Sequence, residues 1–304
     1  MSTVDRRTTA LMRRLAAVLF AALAAGLGLT TWSAGGAATA PAEPQARAAR
    51  LRAGRLRAGR STQELRSALG DARRSCSTAA LDAAVAAIEA HARAPQADAT
   101  AWTLFAEALL ERAQRRTLLR GLTVGQPLFS ELPPQLREDL DKGDAAIAEA
   151  RRRGADSAAS YRVEASLLSQ RITGLLSALR YRGDIERALQ AASERAPEDP
   201  KLLVARGLQL LLAPKLLGHD PAGALTRFER AHAAGADERA AIFAGMACWL
   251  QGQQQQARRW LTTAAEQNPD NPFARAVLAR VAAEEPDPFG RDVSAAEAAE
   301  SSGR

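Results

Sequence analysis

The sequence predicts an all-α fold made of short antiparallel helix pairs stacked in a row. Three observations carry that expectation. The chain is 47% hydrophobic but only 4% aromatic, with alanine filling much of the apolar share, and alanine is the strongest helix former. Alternating runs of β-branched residues are scarce, so strands have little to form from. An apolar pattern at i, i+3, i+4 and i+7 returns along the chain, each time cut by glycine or proline.

The first element is a basic start at residues 1–14, with Arg6, Arg7, Arg13 and Arg14. It leads into LAAVLFAALAAGLGLTTW at 15–32, eighteen residues without a charge. As a helix this stretch just spans a bilayer core of about 30 Å. It reads as a single-pass anchor. Cleavage as a signal peptide is the alternative, because Ala38-Thr39-Ala40 resembles an A-x-A site; Pro41 directly after that site argues against cleavage. No cysteine follows closely, which argues against a lipid anchor. The four arginines before the span outweigh Arg47, Arg50 and Arg52 after it. Basic residues stay on the cytoplasmic side, so the rest of the chain is expected on the periplasmic side of a bacterial inner membrane.

Residues 33–76 read as a disordered, arginine-rich linker. Arg50 and the repeat LRAGRLRAGR at 51–60 put five arginines in eleven residues. At 100° per residue these scatter round a helix rather than forming a stripe, and Gly54 and Gly59 weaken the helix further. The segment is therefore a spacer rather than an amphipathic membrane-lying helix. An electrostatic contact with anionic lipid headgroups is the sharper reading.

The charge distribution narrows the partner classes. Of the formal +7, residues 1–60 hold ten arginines against Asp5 and Glu43, while 61–304 hold 31 basic and 32 acidic residues. A near-neutral body lacks the basic stripe of a nucleic-acid-binding domain. Cys76 and Cys248 lie far apart without metal-ligand spacing, and His91, His219 and His232 form no ligand pattern. No metal site or cofactor is expected.

The stacked pairs are expected over residues 77–284. Their clearest example is ERAAIFAGMACWLQGQQQQARRWLTTAAEQNP at 238–269. Ile242, Gly245, Met246, Trp249 and Leu250 make one helical stripe, Gly252 breaks it, and Ala257, Trp260, Leu261, Ala264 and Ala265 make a second. Earlier segments repeat the pattern. Ala83, Ala87, Ala90 and Pro95 give a second helix, followed by Trp102, Phe105, Ala106, Leu109 and Leu110 on a new first helix. Ala224, Phe228 and Ala231 give another second helix, closed by Gly235-Ala236-Asp237. Gly183 and Ala188 keep the turn-to-helix spacing of Gly252 and Ala257, and Gly207 sits where two helices approach closely. Loops interrupt the pattern at 120–139 and 213–221. Residues 285–304 lose periodicity and read as a disordered tail.

The unit at 238–269 resembles a tetratricopeptide repeat (TPR). Gly245 takes the close-approach position, Gly252 the turn, and Ala257, Leu261 and Ala264 the second-helix pattern, with Pro269 closing the unit. The resemblance implies an α-solenoid of about four to five helix pairs after the N-terminal span. It further implies a non-enzymatic scaffold holding a protein or peptide partner of an envelope complex in its concave groove. The groove-facing positions carried over are Thr103, Glu107, Lys201, Arg239, Met246 and Trp249, with Ile242, Val204, Leu208 and Leu110 read as core.

Catalysis has no support in the sequence. There is no GxSxG, P-loop, HExxH or glycine-rich nucleotide fingerprint, so no catalytic residue is assigned. A looser resemblance links the Gly218-His219 loop to the periplasmic TPR proteins that accompany tripartite (TRAP) transporters and meet a solute-binding subunit. That gives the alternative function. The chain departs from the family in carrying Gly218-His219 where that family usually has a doubled glycine, and in having no lipobox.

Overall fold

A computed structural model describes residues 61–118, 122, 130–290, 292–294 and 296–297. The basic start, the uncharged stretch at 15–32 and the arginine repeat lie outside them. Among the described residues no helix is long and apolar enough to cross a membrane.

Among the described residues, eleven α-helices and one 3-10 turn run in order, without a strand. They are α1 (Thr62–Arg74), α2 (Thr78–Ala92), α3 (Ala99–Leu118), α4 (Pro134–Arg152), α5 (Ala158–Gln170) and α6 (Leu175–Arg195). Then follow α7 (Pro200–Leu212), the 3-10 turn Lys215–Leu217, α8 (Pro221–Ala233), α9 (Glu238–Leu250), α10 (Gln254–Gln267) and α11 (Pro272–Ala282). Consecutive helices pack as α1/α2, α3/α4, α5/α6, α7/α8 and α9/α10, and α11 covers α10. The expected four to five pairs are thus five, closed by a single helix.

The local causes are those of ordinary helix ends. Ser77, Ser157, Asp199, Asp220, Asp237 and Asn271 each accept a backbone N–H at a helix start, satisfying donors the helix cannot. Prolines begin α4, α7, α8 and α11, where a missing N–H costs nothing. Gly252 ends α9 at φ 75°, a left-handed turn that reverses the chain into α10. Gly207 of α7 is needed for another reason. A Cβ there would stand 2.4 Å from the Phe228 ring, so α7 and α8 pack closely because that position has no side chain.

Three boundaries differ from expectation. Thr62–Arg74, inside the stretch read as linker, is a helix packed on the array. Ser61 and Glu64 form a reciprocal capping box, and Leu65, Leu69 and Ala72 bury one stripe against α2 and α3. Enough apolar area leaves water to hold α1 despite its arginines. Gly183 is not a turn: α6 runs through it, and the reversal after α5 lies at 171–174 instead. No residue of α6 before Ile185 is buried, so its first turns project beyond the stack. The tail is also packed in part. Phe289 is wholly buried, although nothing in its neighbours' spacing announces it.

Candidate partner-binding surfaces

The six groove positions were expected to face a partner. Two glutamates of α3 tie up three of them, Glu107 itself, Lys201 and Arg239. Glu107, only 5% exposed, accepts from Arg162 of α5 at 2.9 Å and from Lys201 of α7 at 2.7 Å. Burial alone would raise its carboxyl, but the two cations outweigh that and hold it down at about 2. One turn on, Glu111 accepts two bonds of 3.1 Å from Arg239 of α9, which also reaches Gln114 at 2.8 Å and Asp237 at 3.0 Å.

Asp237 in turn binds Arg73 of α1. Burial would raise its carboxyl, and Arg239 and Arg73 instead hold it well below the usual carboxylate range. The same Asp237 caps α9. Beside it, Glu238 accepts from Asn268 at 3.0 Å and Asn271 at 3.2 Å. The inner face of the array is therefore tied across by its own ion pairs. Charges this buried are tolerated because each has a counter-charge and hydrogen bonds.

The remaining groove positions are also taken up. Thr103 is buried and donates its hydroxyl to the Ala99 carbonyl at 2.8 Å. Met246 is buried, and Ile242 and Leu110 with it, as core residues should be; Val204 and Leu208 are half-buried. Trp249 is half-buried against Phe289, with ring centroids 5.8 Å apart. As an open groove for a partner, the set Thr103, Glu107, Lys201, Arg239, Met246 and Trp249 does not stand. Lys201 alone is exposed, and it is ion-paired. The spacing could not show that α3 carries the countercharges for these positions.

Sequence reasoning missed the surface that is exposed. Leu175, Leu176 and Leu179 stand on the overhanging turns of α6, and Leu176 is 84% exposed. At i, i+1 and i+4 they form one contiguous apolar face. A cleft of about 400 Å³ adjoins it, lined by Leu132, Arg137, Arg171, Leu176, Arg180 and Tyr181 among others. Arg171 is committed to Asp141 and Asp144, and Arg137 to Glu131. Arg180 makes no ion pair among the described residues and lies over the Tyr181 ring. The signal in the sequence was ITGLLSALRYRG, an apolar run with arginines and no acid, overlooked because Gly183 was assigned to a turn.

The other singled-out residues have plain roles. His219 turns back onto the Leu211 carbonyl at 2.9 Å, so the loop behind the transporter resemblance closes on its own helix pair. His91 meets the Thr62 hydroxyl at 3.0 Å, and His232 stands edge-on to Trp260. Cys76 and Cys248 are free thiols, and burial, with Glu229 nearby, pushes Cys248 up to about 11. Among the described residues no cluster of His, Cys, Asp and Glu could hold a metal.

The order of helix pairs is similar to that of a solved TPR protein. TTC0263 of Thermus thermophilus aligns over 73% of this chain and 100% of its own, at 17% identity and a TM-score of 0.50. The fold is a TPR-like helical array. PilW, described as a widely conserved type IV pilus biogenesis factor, aligns over 54% of this chain and 68% of its own, at 18% identity and a TM-score of 0.40. No family model matches the sequence, and no curated protein matches it.

Proposed function

We propose that this TPR-like array is a non-enzymatic scaffold that docks a protein partner and is held at a bacterial inner membrane by residues 15–32, with the array on the periplasmic side. The observation that carries the docking role is the α6 overhang. Among the described residues, Leu175, Leu176 and Leu179 are the large apolar side chains left exposed. A contiguous exposed apolar face rimmed by polar groups is what an interaction site looks like. The partner chemistry is an amphipathic helix with acidic flanks. Its apolar stripe would cover the leucines, and its carboxylates would meet Arg180 and Arg182. Thr103, Glu107, Lys201 and Arg239 serve the scaffold by stiffening it rather than by touching the partner.

The test is site-specific photocrosslinking from position 176 of the full chain in its native membranes. One discrete adduct is expected, lost in a Leu175→Ser/Leu179→Ser variant and absent when the crosslinker sits instead at exposed Glu194 as a control. An adduct pattern unchanged by the serine variant overturns the docking role. Extraction of membranes with alkaline carbonate addresses the anchor separately: the chain should stay in the pellet, and release into the supernatant refutes it.

A further inference from the structure

The face of α9 that carries Ile242, Met246 and Trp249 belongs to one buried cluster with Phe273 and Val277 of α11, and Phe289 lies within that cluster. Phe289 does not come from a helix pair. It sits in a stretch, 284–294, whose described residues form no helix. Trp249 stands against its ring, and the Leu122 N–H donates to its carbonyl at 2.6 Å.

A second anchor is Arg280 of α11, 1% exposed. Its guanidinium donates to the carbonyls of Pro288 at 3.1 Å and Asp292 at 2.8 Å. It also makes a two-pronged pair with the Glu297 carboxylate at 2.8 and 2.9 Å. Between these anchors the peptide is mostly exposed or half-exposed: Asp287, Asp292, Ser294 and Ala296 face solvent. Asp287 folds it into a local turn by accepting from the Gly290 N–H at 2.9 Å.

The contacts that hold this segment, Val293 on the same apolar cluster among them, are of the kind that hold a peptide ligand. One aromatic fills an apolar socket, backbone carbonyls are read by a fixed cation, and a carboxylate completes the pair. Without the segment, Arg280 would lose the carboxylate that balances it and Trp249 would lose its cover. Breaking a buried charge pair is costly, so the vacated socket would draw in another segment of the same chemistry.

We propose that the end of the array formed by α9 and α11 is a peptide-binding site, whose resident ligand is the chain's own tail, engaged through Pro288, Phe289, Asp292 and Glu297. What it recognises is a Pro-Phe-Gly turn followed by a carboxylate further along. The segment is a tethered occupant that a second copy of the same sequence, supplied in trans, can replace. The site is independent of the α6 face and of any membrane anchor.

The test uses a chain ended after Glu285, in detergent, beside the intact chain, and a fluorescein-labelled peptide of sequence PDPFGRDVSAAEA, followed by anisotropy. The shortened chain should bind the peptide one to one, and the intact chain at least tenfold more weakly. Peptides carrying Phe289→Ala or Glu297→Gln should also bind at least tenfold more weakly. A shortened chain that keeps its helical circular dichroism but binds no peptide overturns the proposal, as does equal binding by the intact chain. If the shortened chain does not fold, a protease site placed after Glu285 allows cleavage of the already folded protein. Labelled peptide should then exchange with the nicked segment; a nicked segment that stays bound and never exchanges refutes a replaceable ligand.

Discussion

Two glycines show how much the surroundings of a single residue decide. Gly207 and Gly183 are both inside helices. At Gly207 an added methyl would meet the Phe228 ring at 2.4 Å, whereas at Gly183 it would meet nothing within 4 Å. Gly207→Ala should therefore destabilise the fold by about 1–3 kcal/mol through overpacking. Gly183→Ala should stabilise it by roughly 0.5–1 kcal/mol, because alanine loses less backbone freedom in a helix. Urea titration of the two variants reads both signs, and like signs would refute the packing argument. Glu107 gives a prediction in pH. Its carboxyl is held at about 2 against an ordinary 4.5. Its stabilisation is complete above the unfolded value and disappears as pH falls from about 4.5 to 2. The depression corresponds to about 3 kcal/mol. Glu107→Gln should flatten the loss of stability across that window, measured by thermal melts from pH 6 to pH 2.

At the level of elements, α1 and α6 carry the most instructive differences. Leu65 of α1 is nearly fully buried, so Leu65→Ala should cost about 3 kcal/mol. That should lower Tm by roughly 10 °C in differential scanning calorimetry. If α1 were a loose spacer, Tm would not move. Leu176 lies on the unsupported part of α6, and Leu176→Ser should change stability by less than about 0.5 kcal/mol. Most helix pairs were legible because each buries a 3.6-period stripe and ends on a glycine or proline. The start of α1 was legible in principle from Ser61, Glu64, Leu65 and Leu69, but the arginine repeat before it obscured the signal. The overhang of α6 was not, because Gly183 has the right spacing for a turn and only the course of 171–174 shows where the reversal falls. The ties across the inner face were not legible either, because they depend on Glu107 and Glu111 meeting cations 55 to 128 residues away. Pairing across such separations leaves no mark in local spacing.

Those same ties change how the whole molecule should unfold. In a linear repeat array each unit touches only its neighbours, so unfolding can start at one end and spread. Here Glu107 of α3 reaches α5 and α7, Glu111 of α3 reaches α9, and Arg73 of α1 reaches the Asp237 cap of α9. The first two pairs are thereby joined to the fifth without passing through the units between. Losing any one pair strands buried charges in the others, at a cost far above that of a surface ion pair. The intact array should therefore melt as one unit. Trp249 and Trp260 report the fifth pair and Trp102 the second, so a tryptophan-fluorescence transition in urea should coincide with helix loss by circular dichroism. Replacing Glu107 and Glu111 by glutamine together with Asp237 by asparagine removes the cross-ties while leaving every neighbouring pair in contact. In that variant the two signals should separate and the circular-dichroism transition should broaden. Should the signals still coincide, cooperativity comes from the helix-to-helix contacts alone, and the ion pairs across the inner face are passengers.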